Sequence, residues 1–484
     1  MSGDPSDVCF LPATRQLELL RGRELSCVEL VAAHIATIEH ANPVVNAIVT
    51  ETFELAERRA RDVDVELAAG IDGGPLQGLP VAHKDVTATK GIRTTLGSPL
   101  HADDVPDADA LIVERLRGAG AVTMGKTNTP EFAAGSQTYN RVFGATRNPY
   151  DPALTCGGSS GGAAAALASG MVAIADGTDM GGSLRNPASF CNVVGLRPSP
   201  GRVPAWPTPS LWEPLGVHGP MGRTVGDVAL QLQVIAGADA RAPLASGASG
   251  VPPGASLERD LAGVRVAWSR TLGGLPVDPA VTAVLEAGRP VLEALGCVVE
   301  EVEPDFSGAE EAFTAWRAWL FELSWGRDYD DHREELGADV RWNVEQGRAL
   351  TGPQLAEAER RRTALIHRLR GFLETREFLL APVVQVLPFP VEQHYPATVA
   401  GVPMESYIDW MKSCYVVSAA ALPAASVPFG FTPDGLPVGL QVIGRHGADW
   451  SVLQLAHAIE RESGHWRRRP PITGEAEASL RNQG

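Results

Sequence analysis

Apolar residues recur at helical spacing over residues 27–41 and 54–69, and beyond them short apolar runs alternate with longer amphipathic stretches. VAHKDV (81–86) predicts a short strand. DADALIVERLRGAG predicts a helix over about 108–118, with Leu111 and Arg115 one turn apart and glycines to end it, and AVTM (121–124) predicts a strand after it. MVAIAD (171–176), VRVAW (264–268), FLLAPVV (378–384) and PVGLQVIG (437–444) predict further buried strands. Residues 308–375 predict one long helical block carrying Trp316, Trp319, Trp325 and Trp342. Alternation of this kind implies an α/β fold.

The length favours about three domains, yet no linker marks a division. The least structured stretch, GADARAPLASGASGVPPGAS (237–256), has similar patterning on both sides. One domain over residues 1–484 is therefore expected, with a variable helical region from about 240 to 400 and a flexible tail from about 470. Apolar residues make up 44% of the chain, enough for a sizeable core. No run approaches the roughly 20 apolar residues of a membrane span. The first residues, MSGDPSDVCFLPATRQ, lack the basic region and apolar segment of a secretory signal. Six cysteines (Cys9, Cys27, Cys156, Cys191, Cys297, Cys414) are scattered without a CxxC pair, which points to reduced thiols and a cytoplasmic protein. The net charge of −17 argues against a nucleic-acid surface. The one basic cluster, Arg467-Arg468-Arg469, reads as a solvated terminus.

The chemistry concentrates in TCGGSSGGAAAALASGMVAIADGTDMGGSLRN (155–186). Two glycine-flanked serine clusters, Gly157-Gly158-Ser159-Ser160-Gly161-Gly162 and Gly181-Gly182-Ser183, are joined by an Ala-rich helix and a short apolar strand. Flanking glycines let backbone approach a ligand closely. A serine among them can be an accessible nucleophile with backbone N–H groups beside it for a developing oxyanion.

This segment resembles the signature of the amidase signature family, serine hydrolases that cleave amides with a Ser-Ser-Lys triad. The strand-like VAHKDV carries Lys84, the GGSSGG loop Ser159 and the GGS turn Ser183. Their intervals, 159 − 84 = 75 and 183 − 159 = 24 residues, agree with the family's spacing. The resemblance continues through GKTNTPEF (125–132), FGATRNPYD (143–151), GLRPSPGRVP (195–204), GPMGRTVGD (219–227) and GLPVGLQVIG (435–444), and thins between about 240 and 400. It implies a large central mixed sheet wrapped by helices, with the helical block roofing a substrate funnel. It further implies a cis peptide bond before Ser159.

On this resemblance Ser183 is the expected nucleophile and Ser159 a relay to Lys84. With no histidine placed by motif, Lys84 is left as the base. A lysine at its ordinary pKa of about 10.4 is protonated at neutral pH, so desolvation must favour its neutral form. Backbone N–H groups of Met180, Gly181, Gly182 and Ser183 are the expected oxyanion donors. Asp179 and Arg185 are expected to pair and brace the turn, and Ser160 to hydrogen-bond behind the triad. The chemistry requires no cofactor and no metal. A small amide is the expected substrate, with neither nucleic acid nor membrane as partner and a homodimer left open.

The substrate itself stays open. GSQTYN (135–140), WPTPSLW (206–212) and the tryptophan block suggest an apolar pocket and broad or aryl amides. Carbamates, urethanes and esters are alternatives within the family, as is the amidase component of a tRNA-dependent amidotransferase; an inactive binding scaffold is the non-enzymatic alternative. GAVTMGKT (120–127) fits the phosphate-loop pattern but places its strand where the loop should be. Ser159 and Ser160 both fit GxSxG, yet no HGGG segment precedes them, and such an elbow leaves the second cluster unexplained. His83 with Asp85, or His101 with Asp103 and Asp104, lack zinc-site spacing.

Overall fold

In the computed structural model the described residues are 5–473, apart from 246, 248–249 and 252–253. Most of the tail expected from about 470 lies outside them.

Eleven strands form one sheet: β1 (Ile48–Glu51), β2 (Pro80–Lys84), β3 (Val122–Thr127), β4 (Ile174–Asp179), β5 (Val194–Arg197), β6 (Val217–Gly222), β7 (Arg265–Trp268), β8 (Val298–Glu301), β9 (Phe378–Pro382), β10 (Ala424–Phe431) and β11 (Pro437–Ile443). Their spatial order is β1-β3-β2-β4-β6-β5-β10-β11-β9-β7-β8. The pairs β3–β2, β2–β4, β9–β7 and β7–β8 run parallel. The remaining pairs run antiparallel, so the sheet is mixed, as expected.

Alternate residues of a strand face opposite sides of a sheet. In β9, Phe378 and Leu380 enter one hydrophobic cluster while Leu379 and Ala381 enter another. Both faces are therefore covered, which explains why the central strands read as continuous apolar runs. Two strands run three residues past their expected ends. The strand expected at 171–176 lies at Ile174–Asp179, and the one expected at 121–124 continues to Thr127. Both gain polar residues because pairing extends past the apolar run, for β3 with β2 and for β4 with β6.

The expected helices at 27–41 and 54–69 are α1 (Cys27–Val45) and α2 (Phe53–Ala68), α1 opening on a Ser26–Glu29 capping box. Helix α3 (Leu111–Gly118) begins later than 108. Helix α4 (Gly161–Ala168) is wholly buried, and a Cβ at Gly162 would meet the Asn128 backbone at 2.3 Å, so only glycine fits there. A short α5 (Arg185–Phe190) follows β4. The helical block 308–375 is three helices, α6 (Ala309–His332), α7 (Ala338–Ala349) and α8 (Gly352–Glu374). Among the described residues no helix is long and apolar enough to cross a membrane.

Candidate active site

Three chain segments converge on one cavity of about 280 Å³. Strand β2 ends at Lys84, the loop before α4 holds Ser159 and Ser160, and the turn between β4 and α5 holds Ser183. The Gly158–Ser159 peptide bond is cis. Ser159 and Ser183 both line the cavity, and Ser183 is tied to the serine loop by its carbonyl, which accepts from the Ser160 N–H at 3.1 Å.

Lys84 is wholly buried. Its Nζ lies 2.7 Å from Ser159 Oγ, 3.0 Å from Ser160 Oγ and 2.9 Å from Thr178 Oγ1. Desolvation disfavours the ammonium form, and the charges of Asp179 and Asp176 offset this only in part, so the pKa falls from 10.5 to about 7. Ser160 is held in turn by β4: its hydroxyl donates to the Thr178 carbonyl and accepts from the Thr178 N–H, both at 3.3 Å. Thr178 is the contact that sequence reasoning missed; its only signal was a strand end placed too early, at Asp176.

Asp179 and Arg185 do pair, and both are fully buried. Arg185 Nε and Nη2 reach the two carboxylate oxygens at 3.0 and 2.9 Å, a bidentate fork. Arg197 adds a third contact at 3.3 Å. Burial opposes ionisation of Asp179, but Arg185 and Arg197 outweigh it and hold the carboxyl well below its usual range. That carboxylate also accepts from the Gly182 N–H at 3.0 Å and the Leu184 N–H at 3.2 Å, curling the turn round Ser183. Gly182 takes φ +121°, a conformation other residues resist.

The oxyanion assignment therefore needs correction at Gly182. Its N–H is engaged by Asp179, and the residue is absent from the cavity wall. Met180, Gly181 and Ser183 do line the cavity.

Behind Lys84, His83 Nδ1 and Asp176 Oδ2 lie 2.5 Å apart, both buried, and Asp176 Oδ1 accepts from the Lys84 N–H at 3.2 Å. His83 thus pairs with Asp176 and not with Asp85, which binds Thr95, while His101 pairs with Asp104 at 2.7 Å. Among the described residues no cluster of His, Cys, Asp or Glu is placed to hold a metal ion. Lys126 of the phosphate-loop pattern is buried in β3 and bound by the Thr87 carbonyl and the Thr89 and Thr94 hydroxyls. Among the described residues no histidine hydrogen-bonds to Ser159 or Ser160, and with Lys84 in that place a GxSxG elbow is not built here.

The cavity's roof comes from α6, through Arg317, Leu320, Phe321, Ser324 and Trp325, and from the loop containing Ala205 and residues 207–210. Of six tryptophans expected at the pocket, Trp325 alone is on its wall. Trp316 and Trp319 pack edge to face on each other, Trp206 lies under Arg241, and Trp342 packs on Tyr407. Trp212 is 70% exposed.

The amidase family model matches residues 29–453. The chain belongs to the amidase family. It is similar to an acylamidase of Rhodococcus erythropolis, 35% identical over 459 residues that cover 93% of this chain and 95% of the relative. One component of the glutamyl-tRNA(Gln) amidotransferase of Moorella thermoacetica is 37% identical over 494 residues, covering 96% and 99%. The solved structure of a bacterial aryl acylamidase of the amidase signature enzymes superposes with a TM-score of 0.89 at 28% identity, over 96% of this chain and 99% of that one. A 6-aminohexanoate cyclic dimer hydrolase superposes with a TM-score of 0.85 at 27% identity, over 96% and 99%.

Proposed function

We propose that this amidase-family chain is a serine amidohydrolase working through an acyl-enzyme, with Lys84, Ser159 and Ser183 as its catalytic residues and broad or aryl amides as substrates. The observation that carries this is a wholly buried amine 2.7 Å from the Ser159 hydroxyl, with no carboxylate of the described residues in contact and a pKa brought to about 7. Such an amine is substantially neutral near pH 7, as a general base must be.

A hydroxyl both donates and accepts. Ser159 can pass its proton to Lys84 while receiving that of Ser183, whose Oγ then attacks the amide carbon. The carbonyl oxygen becomes an oxyanion facing the amides of Met180, Gly181 and Ser183. Proton return through Ser159 to the amide nitrogen releases the amine, and water repeats the sequence to free the acid. Asp179 and Arg185 act as positioning residues, because they fix the turn that aims Ser183. One sheet running through the chain supports a single catalytic domain. Six free, buried thiols support a cytoplasmic setting.

Reaction with a fluorophosphonate is expected to add mass to the peptide containing Ser183. Labelling of Ser159 or Ser160 instead would overturn the assignment. The amidotransferase components in the family favour a second reading, a chain that releases ammonia to a partner. Turnover of a simple anilide by the isolated chain supports the first, and activity confined to glutamine with partner chains the second.

A further inference from the structure

Arg317 is a buried cation on the wall of the catalytic cavity, and among the described residues no carboxylate comes within ion-pair distance of it. It projects from α6, is 4% exposed, and lines the same cavity as Ser159 and Ser183. Its Nη2 donates to the Tyr407 hydroxyl at 2.8 Å, and its Nη1 donates to Asn343 Oδ1. The guanidinium carbon lies 4.5 Å from the Phe321 ring centre and 5.5 Å from that of Tyr407. Tyr407 and Asn343 are themselves joined, Asn343 Nδ2 lying 2.5 Å from the Tyr407 hydroxyl, so the guanidinium is held by a linked, neutral frame.

The other buried arginines differ. Arg185 and Arg197 are neutralised by Asp179, Arg223 is wrapped by the main-chain carbonyls of Leu11, Leu167 and Val172, and Arg362 has the Glu359 carboxylate at 3.9 Å. None of those four is on the cavity wall. A buried charge without a partner is costly, and a guanidinium presents five N–H donors in a planar fork that suits a carboxylate. Two neutral acceptors leave part of that fork unused. The two acids on the cavity wall do not supply the missing anion: Asp179 is held by Arg185 and Arg197, and Glu213 is held by main-chain amides. The Glu213 oxygens accept from the amides of Leu215 and Gly216, and the cations it feels are Arg362 and Arg197.

We infer that Arg317 is a specificity-determining residue that receives a carboxylate of the substrate, so that the preferred substrates are amides carrying an anionic group away from the scissile bond. The inference rests on the amidohydrolase reading above. The anion completes the frame of Asn343, Tyr407 and Phe321, and its hydrogen bonds to Arg317 fix the amide against Ser183.

The test uses matched pairs of anilides. Glutaryl 4-nitroanilide is compared with 5-methylhexanoyl 4-nitroanilide, in which an isopropyl group stands for the carboxylate, and hexanoyl 4-aminobenzoate with hexanoyl 4-methylanilide. Expected is a kcat/KM higher for the charged member of one pair by about tenfold or more, the worth of hydrogen bonds to a charged group. Arg317→Gln should abolish that ratio while leaving the neutral member within a few-fold, and Arg317→Lys should restore part of it. Equal rates within both pairs, or an equal loss for charged and neutral members, would overturn the inference. Because Arg317→Gln could disturb α6, the same pairs are also titrated into Ser183→Ala protein with Arg317 intact. Charge-selective binding there without turnover by the unsubstituted protein would support Arg317 as an anion site and count against the amidohydrolase. Turnover of the neutral anilides without charge-selective binding would do the reverse.

Discussion

Thr178 Oγ1 lies 2.9 Å from Lys84 Nζ and, with Ser159 and Ser160, closes a ring of three hydroxyls round the amine. An ammonium can donate to all three. A neutral amine has two N–H groups and one lone pair, so one hydroxyl must then turn its proton inward. The Ser160 hydroxyl already points at the Thr178 carbonyl, which leaves Ser159 and Thr178, both on the cavity wall, and in the proposed mechanism it is Ser159 that delivers the proton of Ser183. Thr178 then serves mainly as an acceptor that steadies the charged form. Thr178→Val is expected to lower the Lys84 pKa further, moving the acid limb of the kcat/KM profile down by about one pH unit, the scale of one hydrogen bond to a charge. Thr178→Ser should leave the limb in place. An unmoved limb in Thr178→Val, measured from pH 5 to 9, would show that Thr178 is packing alone.

Lys84 ties activity and stability to pH in the same direction. Its pKa of about 7 in the folded chain lies below the 10.5 of a free lysine, and burial is the leading cause. Activity should therefore rise with pH through one ionisation near 7. Between the two values the unfolded chain binds more protons than the folded one, so this group makes stability rise with pH, by about 1.4 kcal/mol per unit, and the gain is lost as pH falls through 7. Lys84→Met removes both effects. Activity should drop roughly 10²- to 10⁴-fold, and the difference in unfolding free energy between the two proteins should change steadily with pH from 7 to 10. Parallel denaturation profiles over that range would mean that Lys84 is not neutral in the folded state.

The candidate site was legible where its residues lie in local motifs. Lys84, Ser159 and Ser183 sit in short glycine-rich or strand contexts whose spacing survives in the sequence, and the Asp179–Arg185 pair lies six residues apart across the same turn. Thr178 was hidden because MVAIAD ends its apolar run at Asp176, whereas the ladder with β6 carries the strand on to Asp179. Gly182 was misassigned for a related reason: whether an amide faces the cavity or a carboxylate depends on how the turn folds back, and Asp179 takes that one. The sequence predicted a helical block over 308–375, but not that Arg317 would line the cavity beside Phe321 and Trp325, since a charged residue in a helix reads as solvated. The mixed sheet was foreseeable as a class; its order, with the last two strands inserted between β5 and β9, was not.

The Asp179–Arg185 fork should be costly to break from one side. Arg185→Met leaves a fully buried carboxylate facing Arg197 and two amides, and losing one member of a buried pair typically costs about 3–5 kcal/mol. Chemical denaturation should show a loss of that size. The turn would also loosen round Ser183, so fluorophosphonate labelling should slow in the fraction that remains folded. A variant as stable as the parent, with unchanged labelling, would mean that Arg197 alone suffices to hold Asp179.

Trp325 and Trp212 should separate pocket from surface. Trp325 stacks on Phe132 with ring centres 3.9 Å apart, and both line the catalytic cavity. Trp212 lies near the same loop in sequence but is 70% exposed and off the cavity wall. Replacing Trp325 with Ala enlarges the space available to an acyl or amine group without touching Lys84, Ser159 or Ser183. Contacts in an apolar pocket are worth about 1–3 kcal/mol in discrimination, so the ratio of kcat/KM for a bulky anilide to that for acetanilide should shift by roughly ten- to hundredfold. Fluorophosphonate labelling should persist, showing that the nucleophile is intact. Trp212→Ala should leave the ratio unchanged. If Trp325→Ala lowers both substrates by the same factor, the Phe132–Trp325 stack supports the fold of α6 and does not select the substrate.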